Sequence, residues 1–278
     1  MMAKERLDLF LVKNEFFPSR ERARSAIMEG RVLVNGQKID KAGTLVSLDI
    51  KVTLCGHDLE FVSRGGLKLK KALATFSIDL SNKTMIDIGA STGGFTDCAL
   101  KNGAARVFAI DVGYGQLAWS LRTDDRVVNM ERTNIRKVTL NDIGTAVDFI
   151  SIDVAFISLD KVLPVATTLL KTEGELVALI KPQFEAGREK IGKKGVVKDA
   201  KVHQEVIQKV MDDATDAGFF SWGLTFSPVK GPEGNIEYLL YLKKIPPAES
   251  LLMDKQTIHQ LVAAAHDQLT RRAEDISC

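Results

Sequence analysis

Cysteine is scarce in this chain. Of 278 residues only Cys55, Cys98 and Cys278 are cysteines. They are odd in number, far apart and without a C-x-x-C pair, so neither a disulfide framework nor a zinc site is encoded and a reducing, cytoplasmic setting is expected. Seven prolines and 21 glycines without a repeat, beside 45% hydrophobic and 27% charged residues, exclude collagen-like, coiled-coil and disordered readings. No stretch approaches 18 uncharged apolar residues. The opening MMAKERLDLFLVKNEFF is broken by Lys4, Glu5, Arg6, Asp8 and Lys13, so neither signal-directed export nor membrane insertion is expected. Nor does one sign of charge dominate: 38 Lys and Arg stand against 36 Asp and Glu. Local clustering must therefore say whether a polyanion is bound.

The length allows one large domain or two smaller ones. Through about residue 60 the pattern is that of a small mixed unit. Leu7, Leu11 and Val12 have helical spacing; Pro18-Ser19 opens a second helix with Ser19 as N-cap and Ala23, Ala26 and Ile27 as its apolar stripe, ended by Gly30. Alternation from Arg31 to Val34, the turn Asn35-Gly36, and apolar stretches near Val46 and from Ile50 to Leu54 predict hairpin strands. Residues 61–82 are read as a linker and entry helix. From 83 to 246 the pattern becomes strand, helix, strand, helix: Met85–Ile88, Val107–Ile110, Val127–Met130, Phe149–Ile152 and Leu176–Ile180 are short apolar runs spaced for crossover helices, which predicts a doubly wound parallel α/β sheet. Phe219–Phe226 and Ile236–Leu242 flank a Pro- and Gly-rich turn and predict an antiparallel hairpin at one edge. Residues 247–278 are read as a helix packed on this domain through Ile258, Leu261, Val262 and Ala265.

Within the first unit, Arg20, Arg22, Arg24 and Arg31 are set against only Glu21 and Glu29. Arginine forks phosphate oxygens bidentately, although a charge run also suits a helix that merely faces water. Arg6-Leu-Asp-x-Phe-Leu-Val, then Ser19-Arg20-x-x-Ala23-x-x-x-Ile27, then Gly30-x-Val-x-Val-Asn-Gly36, resembles the S4 domain over about residues 5 to 60. That resemblance implies binding of structured RNA through shape and phosphates.

Met85-Ile-Asp87-Ile-Gly89-Ala-Ser91-Thr92-Gly93-Gly94-Phe95-Thr96 is an apolar strand, a glycine-rich turn and a helix start. No Gly-Lys-Ser/Thr follows, so it is not a P-loop, and the G-x-G-x-x-G spacing of a dinucleotide site is missing. Asp111 ends the next apolar run, twenty-two positions after Gly89, where a carboxylate accepts hydrogen bonds from both ribose hydroxyls of a nucleoside, or else caps a helix. Asp-x-Gly-x-x-x-Gly-Gly resembles the S-adenosylmethionine site of class I methyltransferases. This implies a Rossmann-like seven-stranded sheet, with Gly89, Ser91, Gly93, Gly94, Phe95 and Asp111 at the cofactor and Asn134 near its adenine.

Lys68, Asp153, Lys181 and Glu237 each stand at a strand end or its approach. Lys181 is the most informative, because a lysine closing an apolar buried strand is costly unless paired or used. The ordered Lys, Asp, Lys, Glu set resembles the catalytic tetrad of FtsJ-like ribose 2′-O-methyltransferases. With Gln183-Phe-Glu185 and Gly195-Val-Val-Lys-Asp199, the whole chain resembles the TlyA family, an S4 domain fused to an FtsJ-like methyltransferase. The resemblance implies an α/β enzyme with a small N-terminal α+β domain, acting on cytidine 2′-hydroxyls of ribosomal RNA or ribosomal subunits. A ribose hydroxyl must be aligned with the methyl donor while a neighbour takes or stabilises its proton. Lys181 is the candidate for that task, as base or as electrostatic guide. The run from Arg188 to Lys201, with Lys193 and Lys194, is a further candidate for RNA phosphates. A pore-forming haemolysin and a non-catalytic ribosome-assembly factor are the competing readings; missing apolar spans weigh against the first.

Overall fold

Helical stripes and short alternating runs organise the first of two units, which the chain divides at Ser63/Arg64. The structure is a computed structural model describing residues 4–28, 30–54, 60–192, 195–248 and 253–275, so Cys55, Lys193, Lys194 and Cys278 lie outside the described residues. Helix α1 (Leu7–Lys13) and helix α2 (Arg20–Met28) bury Leu7, Phe10, Leu11, Ala23, Ala26 and Ile27 in one cluster with Phe17, Val32 and Val46. Ser19 caps α2 as expected, its Oγ accepting the Arg22 N–H at 3.2 Å. Strand β1 is Lys4–Arg6, and after α2 come β2 (Val32–Val34), β3 (Gln37–Lys38), β4 (Leu45–Ser47) and β5 (Val52–Leu54). Asn35 and Gly36 both have positive φ, 53° and 81°, as a two-residue hairpin turn between β2 and β3 requires.

The apolar stretches around Val46 and residues 50–54 are strands but not partners. β4 pairs antiparallel with β1, whereas β5 pairs with β2. Alternation reports which face is buried and not which strand lies alongside, and all-polar Lys4-Glu5-Arg6 carried no alternation to announce β1.

The second unit holds helix α3 (Gly65–Phe76), β6 (Thr84–Ile88), α4 (Gly94–Lys101), β7 (Arg106–Ile110), α5 (Trp119–Arg122), β8 (Val127–Met130), α6 (Leu140–Ile143), β9 (Val147–Ile152), α7 (Leu163–Leu169), β10 (Leu170–Ile180), α8 (Pro182–Glu185), α9 (Ala200–Asp216), β11 (Phe220–Phe226), β12 (Tyr238–Lys243) and α10 (Lys255–Asp275). Its seven-stranded sheet runs β11-β12-β10-β9-β6-β7-β8. The five strands from β10 to β8 are parallel, and β12 alone runs against them, pairing antiparallel with both β10 and β11. Of the expected edge hairpin only β11 is the outer strand; β12 is inserted between it and β10. The parallel strands are near-continuous apolar runs because helices cover both faces. Ile258, Val262, Ala265 and Leu269 of α10 and Val206, Ile207 and Val210 of α9 join the same core as Ile150, Ala178 and Leu240. Strand order reverses at β6, and the carboxyl ends of β6 and β9 beside that point are where an open α/β sheet takes its ligand.

Candidate active site

The chain leaves β6 through a turn that few residues could adopt. Gly89, Ser91 and Gly93 have φ of 85°, 49° and 96°, the left-handed region that glycine enters without penalty. A Cβ on Gly89 would lie 2.4 Å from the Asp153 carbonyl oxygen. Beneath the turn Asp87 is fully buried and accepts hydrogen bonds from Thr96 N–H at 3.0 Å, Thr96 Oγ1 at 2.7 Å and Ser151 Oγ at 3.0 Å. Burial pushes its pKa up to about 6, against those hydrogen bonds. It ties strand, turn and helix start together.

Asp111 spans this turn and the next. Its Oδ2 accepts the Ser91 N–H at 2.8 Å and its Oδ1 the Gly113 N–H at 2.7 Å. Carboxylate oxygens accept more than one hydrogen bond each, so this half-buried group retains acceptor capacity for a ribose diol. Asn134 uses its side-chain oxygen to cap a short helical turn, accepting from Arg136 N–H at 3.1 Å, and its amide NH2 is the donor it can offer a base. Phe95, in the first turn of α4, is buried.

The four ionisable residues of the expected tetrad converge. Lys181 Nζ is 2.6 Å from Asp153 Oδ1, Lys68 Nζ is 3.7 Å from Asp153 Oδ2, and Lys68 Nζ is 2.7 Å from Glu237 Oε2. They form a chain, Lys181 to Asp153 to Lys68 to Glu237, drawn from the ends of β10 and β9, the first turns of α3, and the residue preceding β12. All are largely buried, Glu237 most of all. Burial alone would favour the neutral form of Lys68, yet Asp153 and Glu237 outweigh it and its pKa rises. Asp153 is held low because its two lysines overcome its burial, whereas for Glu237 burial prevails and its pKa is raised.

Residues 61–244 match the FtsJ-like methyltransferase family, and residues 5–49 match the S4 domain. The chain belongs to the FtsJ-like methyltransferases. This methyltransferase is 48% identical over 275 residues to Bacillus subtilis YqxC, which carries an rRNA methyltransferase name, with 98% of each chain covered. It is 43% identical to the 16S/23S rRNA (cytidine-2′-O)-methyltransferase TlyA of Mycobacterium tuberculosis, covering 87% of this chain and 91% of the relative. A solved Streptococcus thermophilus protein carrying a haemolysin name superposes with a TM-score of 0.77 at 44% identity, covering 99% of this chain and all of that one.

Other groups around these residues were given no role by the sequence. Phe156, three residues beyond Asp153, is 92% exposed, has φ of 62°, and lies 5.0 Å from Phe184 between ring centroids. Glu131 accepts the Gln116 N–H at 2.9 Å and pairs with Arg122 at 2.5 Å, which fixes the loop after Asp111. Glu185 joins the segment after β9 to the one after β10. Asp87 and Glu185 were visible as members of the motifs Asp-x-Gly-x-x-x-Gly-Gly and Gln183-Phe-Glu185, without a role of their own. Phe156 and Glu131 sit in loops where periodicity says nothing.

Among the expected RNA contacts, Arg20 donates from Nε to buried Asp8 at 2.9 Å, and Arg6 pairs with the same carboxylate. These cations hold the Asp8 pKa down at about 2. Arg24 is exposed, and Arg22 and Arg31 are partly so. Arg188 opens an exposed helical turn, and neighbouring Lys190 pairs with Glu205 at 2.6 Å.

Proposed function

We propose that this methyltransferase moves the methyl group of S-adenosylmethionine to a ribose 2′-hydroxyl of ribosomal RNA, with cytidine as the modified nucleotide. The observation that carries this reading is the continuous ion-paired chain through Lys181, Asp153, Lys68 and Glu237 beside the glycine turn. The residues present fit the cofactor: the Gly89–Gly93 turn is free of bulky side chains, Asp111 offers acceptors for the ribose diol and Asn134 a donor for the base. When bound, S-adenosylmethionine supplies an electrophilic methyl on a sulfonium.

The protein's part is positioning and electrostatics. Asp153 orients the Lys181 ammonium at 2.6 Å, so that its remaining protons point a hydroxyl toward the cleft and stabilise negative charge on its oxygen as the hydroxyl proton passes to solvent water. Lys68, pinned between Asp153 and Glu237, fixes the Asp153 carboxylate and adds positive potential. Phe156 stands exposed beside this site and offers a stacking face to an unpaired nucleobase, the way single-stranded RNA is usually gripped. The S4 unit contributes phosphate contacts, and a ribosomal substrate places the enzyme in the cytoplasm.

The test is methyl transfer from labelled S-adenosylmethionine by purified protein to ribosomal subunits from a strain lacking the gene, with the product nucleotide identified by mass spectrometry. A 2′-O-methylcytidine supports the reading. No transfer, or a methyl on a base, overturns it; lysis of erythrocytes without transfer would favour the haemolysin, and tight RNA binding without transfer the assembly factor.

A further inference from the structure

Three cross-links join the chain after β9 to the chain after β10. First comes the Asp153–Lys181 ion pair at 2.6 Å. Next, Phe156 lies against Phe184 with ring centroids 5.0 Å apart and planes tilted by 54°. Last, Glu185 accepts the Ser158 hydroxyl at 2.5 Å and the Leu159 N–H at 2.8 Å. Successive residues on one segment meet successive residues on the other, so the two form a clasp closed at one end by the tetrad and at the other by Glu185.

Glu185 is a buried carboxylate outside the tetrad. It also pairs with Lys209 of α9 at 3.2 Å, which compensates its charge. A buried carboxylate bound to a hydroxyl two residues beyond Phe156 and to a backbone N–H three residues beyond it restrains that loop strongly. The restraint matters because Phe156 is held with φ of 62° and its ring 92% exposed. A β-region backbone and a buried ring would be the relaxed state for phenylalanine. A left-handed aromatic persists only where its surroundings over-determine it.

We infer that Glu185 is a positioning residue that holds Phe156 outward as the surface on which an unpaired RNA base stacks beside the tetrad. The inference rests on the proposed RNA methylation and names the element of the site that selects a splayed nucleotide. Glu185 acts through Phe156 and touches no substrate. Without it the Val154–Ser158 segment is free to turn the ring inward, and RNA loses its stacking face while the cofactor turn, held by Asp87 and Asp111, is untouched.

The test is a double-variant cycle on the full chain, with ribosomal subunits from a strain lacking the gene as substrate. Glu185→Ala is expected to lower kcat/KM for the subunits by about tenfold, the size of a lost buried charge-assisted hydrogen bond, with S-adenosylmethionine affinity unchanged by calorimetry. Phe156→Ala is expected to lose at least as much. The decisive result is the pair together: Glu185→Ala with Phe156→Ala should equal Phe156→Ala alone, since a residue acting only through another adds nothing once that other is gone. Glu185→Gln, which keeps an acceptor for the Leu159 N–H, should restore most of the activity, and it carries the test if the alanine variant fails to fold. Multiplicative losses, an inert Phe156→Ala, or a Gln variant as poor as Ala would overturn the proposal. Absence of transfer by the wild-type protein would instead remove the functional reading on which it rests.

Discussion

Gly89 and Asp153 are in backbone contact: a Cβ on the first would stand 2.4 Å from the carbonyl oxygen of the second. The turn proposed to cradle the cofactor and the strand end that carries the central carboxylate of the ion-paired chain are thereby one unit. Asp153 N–H also donates to the Ile88 carbonyl at 2.9 Å, one residue before Gly89. The proposed donor and acceptor sites are registered by main chain, which no side-chain rotamer can loosen.

Gly89→Ala should therefore damage both functions at once. The φ of 85° and the clash with main chain leave no relaxed position for the methyl, and a cost of about 2 kcal/mol or more in stability is expected. Thermal unfolding by circular dichroism and S-adenosylmethionine titration check it; a variant normal in both would show that the turn can move away from Asp153.

If Lys181 has the proposed role, Lys181→Ala should lower turnover by roughly 10²-fold or more with little change in cofactor affinity, because a group acting on the hydroxyl leaves the methyl donor untouched. Single-turnover kinetics with saturating RNA read this directly. Near-normal turnover would remove Lys181 from the reaction.

Acid should weaken the fold through His203. This buried ring meets the Val197 carbonyl at 3.0 Å through Nε2 and the Tyr238 hydroxyl at 2.7 Å through Nδ1. Nε2 therefore carries the proton and Nδ1 accepts. Burial, with His266 nearby, pushes the pKa from 6.5 down to about 4 despite the opposing Val197 carbonyl. Between those values the unfolded chain binds the extra proton, so this stabilisation is complete above pH 6.5 and is lost as pH falls toward 4. Asp87, raised to about 6, works in the opposite direction over much of that range. The stability gap between wild type and His203→Gln should consequently shrink by about 2 to 3 kcal/mol from pH 7 to pH 4 in urea titrations. A constant gap would mean His203 is not held neutral.

In the S4 unit two arginines should behave differently. Arg24→Ala should leave stability unchanged and reduce the log-log salt slope of rRNA binding by somewhat less than one unit, the value for one phosphate contact. Arg20→Ala should in addition lower the melting temperature, since it strips a partner from buried Asp8. Parallel salt plots for Arg24→Ala would show that this side chain does not touch phosphate.

Much of this protein was determined by local sequence. Apolar runs such as Phe149–Ile152, spaced for crossover helices, read as strands buried on both faces, glycines at 89 and 93 answer to backbone angles that other residues avoid, and Ser19 caps the helix it precedes. Asp153 and Lys181 were legible because each closes an apolar strand and Glu237 because it precedes one, whereas Lys68 was picked out by the resemblance to the FtsJ-like tetrad and lies in helix α3 instead of at the approach to a strand. What tertiary structure alone decided were pairings between distant segments. That β4 joins β1 rather than β5, that Asp8 is shared by Arg6 and Arg20, and that Glu185 reaches Ser158 depend on which surfaces meet in three dimensions. Periodicity encodes how a segment faces the core, a property of neighbours in the chain. It carries no record of which distant partner completes a buried charge or an open strand edge, because that choice is made by packing over the whole domain.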